Sequence, residues 1–198
     1  MHSRGFTLVE LLVILTISAI LVAMAVPAFQ AMIQSNRISG AANSLLSSMD
    51  LARSEAIRRS ANVTVCRSVN AAVPLPACSS AAAGGYAADD WASGWIVFAK
   101  TPGNAADATV EAGDEILFRQ TPFQPETQQR LLVESTAPGQ AVTYTLRGVI
   151  NGIMGGTYFI DHRDKAVAVY SNMARCLAMN AAGRPLVPRV TAGACPPA

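Results

Sequence analysis

A single carboxylate interrupts the most apolar stretch of this 198-residue chain. Glu10 lies in the run Phe6–Val26, where the other polar side chains are Thr7, Thr16 and Ser18. A carboxylate within a membrane costs about 2.5–3.5 kcal/mol on insertion scales, so such residues are functional by default. The alternative is a plain signal anchor that tolerates a glutamate near the membrane interface.

The position of Glu10 relative to Phe6 indicates a partner for the carboxylate. The two residues are four apart and therefore share one face of a helix. Cleavage between Gly5 and Phe6 would create a cationic amine about one turn away from Glu10. That amine, on the same chain or on a neighbouring one, is the natural ion-pair partner for Glu10.

Four cysteines are the second set of residues with recognisable chemistry. All four follow the apolar run, which is typical of a membrane-export signal, and an even count in an exported domain predicts two disulfides. Three pairings are formally open. We favour the pairs that are close in sequence, Cys66–Cys78 and Cys176–Cys195, each of which would contribute about 3 kcal/mol in the chain-entropy model. A metal site is the weaker alternative, because the chain has no Cys-x-x-Cys and only two histidines, His2 and His162. We predict no metal and no cofactor.

The rest of the sequence argues against an enzyme and against a nucleic-acid binder that works by bulk charge. It contains no nucleophile elbow, phosphate loop, zinc-protease motif or dinucleotide fingerprint. The net charge is only +2, from 15 basic and 13 acidic residues. We therefore predict no catalytic residues.

One long helix must position Glu10. The run Phe6–Val26 is about 32 Å long as a helix, enough to cross a hydrocarbon layer. Beyond Pro27, where we expect a kink, apolar residues recur at alternating spacings of four and three. This stripe predicts an amphipathic continuation to about Ser60 that packs on a sheet, and its members are Ile38, Ala42, Leu45, Met49, Ala52 and Ala56.

After Asn62 the apolar period changes to two, which is typical of strands. The sequence thus predicts an α+β fold, a long N-terminal helix packed on antiparallel β-sheets. The segment 71–88, rich in Ala, Pro, Ser and Gly, is predicted to be a flexible loop. The predicted strands are 63–66, 95–98, 116–118, 130–133, 142–146, 157–160, 166–170 and 175–179.

The string Gly5-Phe6-Thr7-Leu8-Val9-Glu10 resembles the processing site of type IV pilins and type II secretion pseudopilins. The resemblance implies that a prepilin peptidase cleaves after Gly5 and that Phe6 is then methylated. It also implies that Glu10 acts in assembly through a neighbour's N-terminus. The chain then comprises a leader (1–5), a transmembrane and assembly helix (6–27), an amphipathic helix (28–61) and a β-rich periplasmic pilin domain (62–198).

Two further stretches resemble the GspH/FimT/FimU group of minor pilins. One is Trp91-Ala92-Ser93-Gly94-Trp95-Ile96-Val97-Phe98, which follows the first two cysteines. The other is Cys176–Arg184, which is similar to the group's C-terminal strand and turn. Some FimT-like members bind DNA through Gly-Arg-x-Arg, but here Arg184 is followed by Pro185-Leu186, and the next arginine is Arg189. We therefore favour a turn or subunit contact at Arg184 and Arg189 over DNA binding.

The resemblance implies a minor pilin of a type IV pilus that supports pilus assembly. The implied partners are the prepilin peptidase, the major pilin and other minor pilins. The implied location is the inner membrane, single-pass, with a periplasmic domain that is later built into the filament. The alternatives are a minor pseudopilin of a type II secretion system and a DNA-binding minor pilin for natural transformation.

Overall fold

The computed structural model describes residues 7–103, 107–123, 131–151, 156–162, 172–180, 182–188 and 190. The chain divides into two compact units, one up to Asn36 and the other from Arg37 onwards. A single helix, α1 (Leu8–Arg59), begins in the first unit and ends in the second. Two short 3₁₀ helices, Trp91–Ser93 and Pro138–Gln140, lie in the second unit.

The described strands form two four-stranded antiparallel sheets in the second unit. The first sheet has the order β3-β2-β1-β5 and the second the order β4-β6-β7-β8. A register shift between Val97 and Phe98 interrupts the pairing of β2 with β3. The strands are β1 (Val63–Arg67), β2 (Trp95–Ala99), β3 (Glu115–Gln120), β4 (Leu132–Ser135), β5 (Ala141–Tyr144), β6 (Thr157–Asp161), β7 (Arg175–Met179) and β8 (Pro185–Leu186).

The second half of α1 buries the predicted stripe. All six of its members are buried in the core of the second unit, together with Ala41 and Ser48. Burial of this stripe stabilises the fold by about 25 cal/mol for each Å² of apolar surface that is removed from water. The helix also continues through Pro27, whose ring nitrogen donates no hydrogen bond.

The first sheet is covered on both faces, which explains why β1 and β2 are buried along their whole length. Val63, Val65 and Val97 face the main core with the helix stripe. Cys66, Ile96 and Phe98 face a second apolar cluster, whose other members come from the loops around 71–78 and from Val110, Ile116 and Ala141. Alternation therefore sorts the side chains between two cores instead of between core and water.

The two tryptophans connect the layers. The Trp95 indole donates to the Ser48 hydroxyl of α1 at 3.0 Å. The Trp91 ring meets Tyr158 of the second sheet edge-to-face, with centroids 5.0 Å apart. Trp91 also donates from Nε1 to the Gln140 side chain at 2.7 Å, so its one polar atom is satisfied in the core.

The prediction of an α+β fold, with a long N-terminal helix packed on antiparallel β-sheets, is confirmed, with corrections at the strand ends. The strand expected at 130–133 is β4 at Leu132–Ser135. β5 ends at Tyr144 because Gly148 donates to the Thr145 carbonyl and closes a tight turn. The short β8 was not predicted, and the strand expected at 166–170 lies outside the described residues.

Candidate functional site

The start of α1 combines a capping threonine with the apolar-run carboxylate. The Thr7 side-chain oxygen accepts from the Glu10 backbone N–H at 3.3 Å, and the Thr7 carbonyl accepts from Leu11 at 3.2 Å. Thr7 is therefore the N-cap and Glu10 the third helical residue, the spacing of a capping box. The Glu10 side chain is exposed and has no ion pair among the described residues. Gly5 and Phe6 lie outside the described residues.

The first unit exposes nearly all of its apolar surface. An 18-residue window of α1 has a mean hydropathy of 2.7 with none of it buried, which makes α1 long and apolar enough to cross a membrane. Thr16 donates to the Val13 carbonyl at 2.9 Å and Ser18 to the Ile14 carbonyl at 2.7 Å. These hydroxyls are satisfied inside the helix, so Glu10 is the charged group that needs an outside partner.

The predicted disulfide Cys66–Cys78 is present. It joins β1 to the loop after it, with 5.5 Å between the Cα atoms. Cys176, in β7, is also disulfide-bonded. Its predicted partner, Cys195, lies outside the described residues, so the second pairing stays a prediction.

A buried arginine next to this disulfide is a residue that the sequence reasoning missed. Arg67 is fully buried, and its guanidinium donates to four backbone carbonyls of the following loop at 2.9–3.0 Å. The four carbonyls that accept these hydrogen bonds belong to Ser79, Ala81, Ala87 and Asp90. Burial lowers the pKa of Arg67 from its ordinary value, with the Asp90 and Asp89 carboxylates opposing the shift.

Together, Arg67 and the disulfide correct the expectation of a flexible loop at 71–88. Ala83 and Tyr86 pair their backbones there, and the Tyr86 hydroxyl donates to the Phe123 carbonyl. The segment is a loop, but its path is fixed by these hydrogen bonds. A lone arginine in an apolar strand, just before a segment rich in small residues, is the sequence signal that could have indicated this.

The backbone approaches closely at Gly94, within the Trp91–Phe98 run. Gly94 has φ 108°, and a Cβ there would lie 2.5 Å from the Gln120 carbonyl oxygen, so a larger residue would collide with backbone. Asp90 caps the 3₁₀ helix just before it by accepting from the Ala92 N–H at 3.0 Å. The same carboxylate oxygen accepts from Val133 of β4 at 3.1 Å and so joins the motif to the second sheet.

Lys100 holds the loop after β2. Its buried ammonium lies 3.0 Å from Asp107 and Glu111, 3.4 Å from Asp114, and 2.6 Å from the Thr109 carbonyl to which it donates. Burial alone would lower the pKa of Lys100, but the hydrogen bonds to the carboxylates outweigh it and the pKa is raised. In the described part of the chain no side-chain group could hold a metal ion, and these three carboxylates converge on Lys100 instead.

Arg184 lies in a tight, exposed turn. Its N–H donates to the Asn180 side chain at 2.8 Å, and Gly183 donates to the Asn180 carbonyl at 2.9 Å. Arg189, the second arginine of this expectation, lies outside the described residues, so its relation to Arg184 stays a prediction. The described turn packs against the loop that carries Arg147, because a Cβ on Gly183 would lie 3.3 Å from the Gly148 carbonyl oxygen.

Comparisons with known proteins agree with this geometry. Residues 1–26 match the motif described as prokaryotic N-terminal methylation motif, and residues 41–183 match the family described as type II transport protein GspH. A search of curated proteins gave no significant match.

Two crystal structures of the type IV minor pilin FimU from Pseudomonas aeruginosa strain PAO1 share the fold. The first, in space group P21, has 18% identity and a TM-score of 0.51, and the alignment covers 77% of this chain and 89% of that chain. The second, in space group P65, has 16% identity and a TM-score of 0.50 with 76% and 91% coverage. Because the family match spans most of the chain and the methylation motif precedes it, this chain belongs to the GspH family and is a type IV minor pilin or pseudopilin.

Proposed function

We propose that this chain is a minor pilin that is built into a type IV pilus and supports its assembly. Prepilin peptidase removes residues 1–5, Phe6 is methylated, and α1 holds the subunit in the inner membrane with the second unit in the periplasm. The major pilin and other minor pilins are its partners in the filament. The observation that carries the proposal is the exposed apolar start of α1 with one unpaired carboxylate, Glu10.

In this proposal Glu10 supplies the free energy that favours the assembled filament over the membrane-inserted subunit. An unpaired carboxylate in lipid or in a filament core costs about 2.5–3.5 kcal/mol. Pairing with the N-terminal amine of a neighbouring subunit removes that cost. The apolar side chains around Glu10 gain little by the same transfer, because lipid tails are as apolar as the side chains of a helix bundle. The ion pair is therefore the interaction that favours the filament over the membrane.

The test replaces Glu10 in the full chain in its native host. Glu10→Ala is expected to be inserted, cleaved and methylated, as mass spectrometry of the N-terminal peptide would show, but to be depleted at least tenfold from sheared pili. Asp50→Ala is the matched control, because Asp50 is an exposed carboxylate on the same helix. Incorporation of Glu10→Ala at the wild-type level would refute the role of Glu10.

The minor pseudopilin of a type II secretion system is the second candidate, because the matched family is described as a type II transport protein. Deletion of the gene separates the two. Loss of surface pili with normal export of secreted enzymes supports the pilus, whereas the reverse result supports the secretion system. Two features lean towards the pilus: the cysteine pair before the Trp91–Phe98 run and the Gly183-Arg184 turn.

A further inference from the structure

Two tight turns meet on one side of the second unit. In the first, Gly148 donates to the Thr145 carbonyl at 2.7 Å; the second is the Asn180–Arg184 turn. Both turns contain a glycine at positive φ, 72° at Gly148 and 74° at Gly183. A Cβ on Gly183 would lie 3.3 Å from the Gly148 carbonyl oxygen, so the two turns lie close together. This proximity brings Arg147 and Arg184 into one region, since each is next to one of the glycines.

Side chains of helix α1 hold the first turn in place. Arg53 donates from Nε to the Gly148 carbonyl at 3.0 Å. Ile57 packs so closely that a Cβ on Gly148 would lie 2.6 Å from its Cδ1 atom. The turns are therefore held by backbone hydrogen bonds and by the helix, and their arginines are presented on a rigid base.

The surface at these turns combines aliphatic and cationic side chains. Ile57 is 53% exposed, Leu146 53% and Val149 41%, three of the seven large aliphatics that the described second unit exposes. Arg147 and Arg184 are exposed, and neither forms an ion pair with a described residue. We name the surface formed by these five residues the arginine–aliphatic patch.

The charge at the patch is positive. Asp50 of α1 acts electrostatically on the neighbouring Tyr144, and Arg53 opposes it there. The patch itself contains two arginines and no carboxylate, and neither arginine forms an ion pair with a described carboxylate. Guanidinium groups prefer carboxylates and phosphates in a two-point geometry, and the aliphatic side chains favour an apolar counterpart.

The aliphatic side chains discriminate between the two classes of anionic partner. A nucleic acid would engage the two arginines but would leave three aliphatics against a hydrated polyanion, and two phosphate contacts give weak binding. A protein segment with carboxylates beside aliphatic residues satisfies both parts of the patch. A protein partner is therefore favoured.

A second copy of this chain fits the patch poorly. Its densest described acidic surface is the loop after β2, where Asp107, Glu111 and Asp114 already surround Lys100. The next carboxylate, Glu115, is paired with Arg59 at 2.5 Å. A different subunit, whose carboxylates are not already engaged in such ion pairs, therefore fits the patch better than a second copy does.

We propose that the arginine–aliphatic patch is a docking surface for a different pilin-like subunit, which presents at least two carboxylates beside aliphatic side chains. This inference rests on the proposed function, because it takes the chain to be part of a heteromeric filament. Arg147 and Arg184 each bind a carboxylate of that subunit. Ile57, Leu146 and Val149 bury their exposed aliphatic surface against it.

The experiment places a photo-crosslinking amino acid at Leu146 of the full chain in its native host. Leu75, an aliphatic residue that is 85% exposed on a distant segment of the chain, is the matched control position. After irradiation, mass spectrometry of the crosslinked peptides identifies the partner. The expected result is a crosslink from position 146 to an acidic and aliphatic segment of another pilin-like subunit, and not from position 75.

Charge variants then test the two arginines. Arg147→Glu with Arg184→Glu is expected to lower the crosslink yield from position 146 at least tenfold, whereas Arg147→Lys with Arg184→Lys retains a third or more. Fluorescence of the buried tryptophans verifies that each variant is folded. No crosslink, an unchanged yield after charge reversal, or a crosslink to nucleic acid, lipid or a second copy would each overturn the proposal.

Two measurements that do not involve the patch distinguish a failure of the proposed function from a failure of the docking proposal. The N-terminal methylation and pilus incorporation of the wild-type chain report on that function and do not depend on the patch. An incorporated chain that shows no crosslink overturns the patch alone. A chain that is absent from pili but crosslinks to an acidic subunit overturns the pilus proposal and leaves the patch in place.

Discussion

Replacement of Lys100 by methionine tests how the loop after β2 is held. Lys100→Met keeps the length and the apolar stem of the side chain but removes the ammonium. Three carboxylates, which now lie within 3.4 Å of that ammonium, would then face one another without a cation. These carboxylates belong to Asp107, Glu111 and Asp114. The Thr109 carbonyl would also lose its donor.

The magnitude follows from how unequally these carboxylates are exposed. Removal of one partner from a fully buried ion pair costs about 3–5 kcal/mol, because a buried charge is left behind. The side chains of Asp107 and Glu111 are 46% and 44% exposed, so water can solvate both of them. Asp114 is fully buried but still accepts from the Thr101 and Glu111 N–H groups. We therefore expect a loss of about 3 kcal/mol at pH 7, the lower end of that range.

The loss should shrink as the pH falls. Backbone and Lys100 hydrogen bonds hold the pKa of Asp107 below its ordinary value. The pKa of Asp114 is also lowered, because hydrogen bonds from Glu111 and Thr101 outweigh its burial. A lowered carboxyl pKa adds stability above the unfolded pKa of 3.8, and this stability is lost as the pH falls through the folded value. Without the ammonium the carboxylates take up protons more readily, so at pH 4 the variant is closer to the wild type.

The assay is urea unfolding of the full chain in mild detergent, followed by tryptophan fluorescence. The chain has two tryptophans, and both are fully buried in the second unit, so the signal reports on that unit. Arg58→Met is the control, because Arg58 also pairs with a carboxylate but its side chain is 63% exposed, and it should cost much less than Lys100→Met. A Lys100→Met loss below about 1 kcal/mol at pH 7, or an equal loss at pH 4, would refute the reasoning.

The same assay tests three further residues or pairs. Arg67→Met should cost about 3 kcal/mol, since the Ser79 and Ala81 carbonyls lose the guanidinium donor and those of Ala87 and Asp90 keep only their bonds from Asp90 and Ser93; Arg67→Lys should cost less, and equal losses would contradict the role of the planar guanidinium. Gly94→Ala should cost at least 1 kcal/mol more than Gly103→Ala, about the smallest penalty for overpacking. Both glycines have positive φ but only a Cβ on Gly94 meets backbone, and similar losses would show that the collision relaxes. Cys66→Ala with Cys78→Ala should cost about 3 kcal/mol for a sequence separation of 12 residues, and a loss under 1 kcal/mol would contradict that estimate.

Local patterns in the sequence are sufficient to predict most of the secondary structure. The spacing from Ile38 to Ala56 defines a helix face without reference to anything distant, and every member of that stripe is buried. The Trp91–Phe98 run is recognisable from the sequence, and the structure gives a reason for its glycine, Gly94, in the nearby Gln120 carbonyl. Such features depend on a few neighbouring residues, which is why a single sequence reveals them.

The features that escaped prediction are non-local. The roles of Arg67 and Lys100 become visible when the following loops fold back over them, and residue type alone places a cation on the surface. The order of the strands depends on which edges meet, and alternation does not determine it. The close approach of the Gly148 and Gly183 turns likewise joins segments that are far apart in the sequence.

Arg67 also determines where the chain tolerates change. Its four hydrogen bonds end on backbone carbonyls, a group that every residue carries whatever its side chain. At Ala81 the side chain is exposed, and at Ser79 and Ala87 it is half-buried, so these positions can accept other residues while the main-chain path stays the same. The main-chain path of the loop therefore does not depend on the side chains at these positions, so the surface of this part of the subunit can change in sequence without a change of fold.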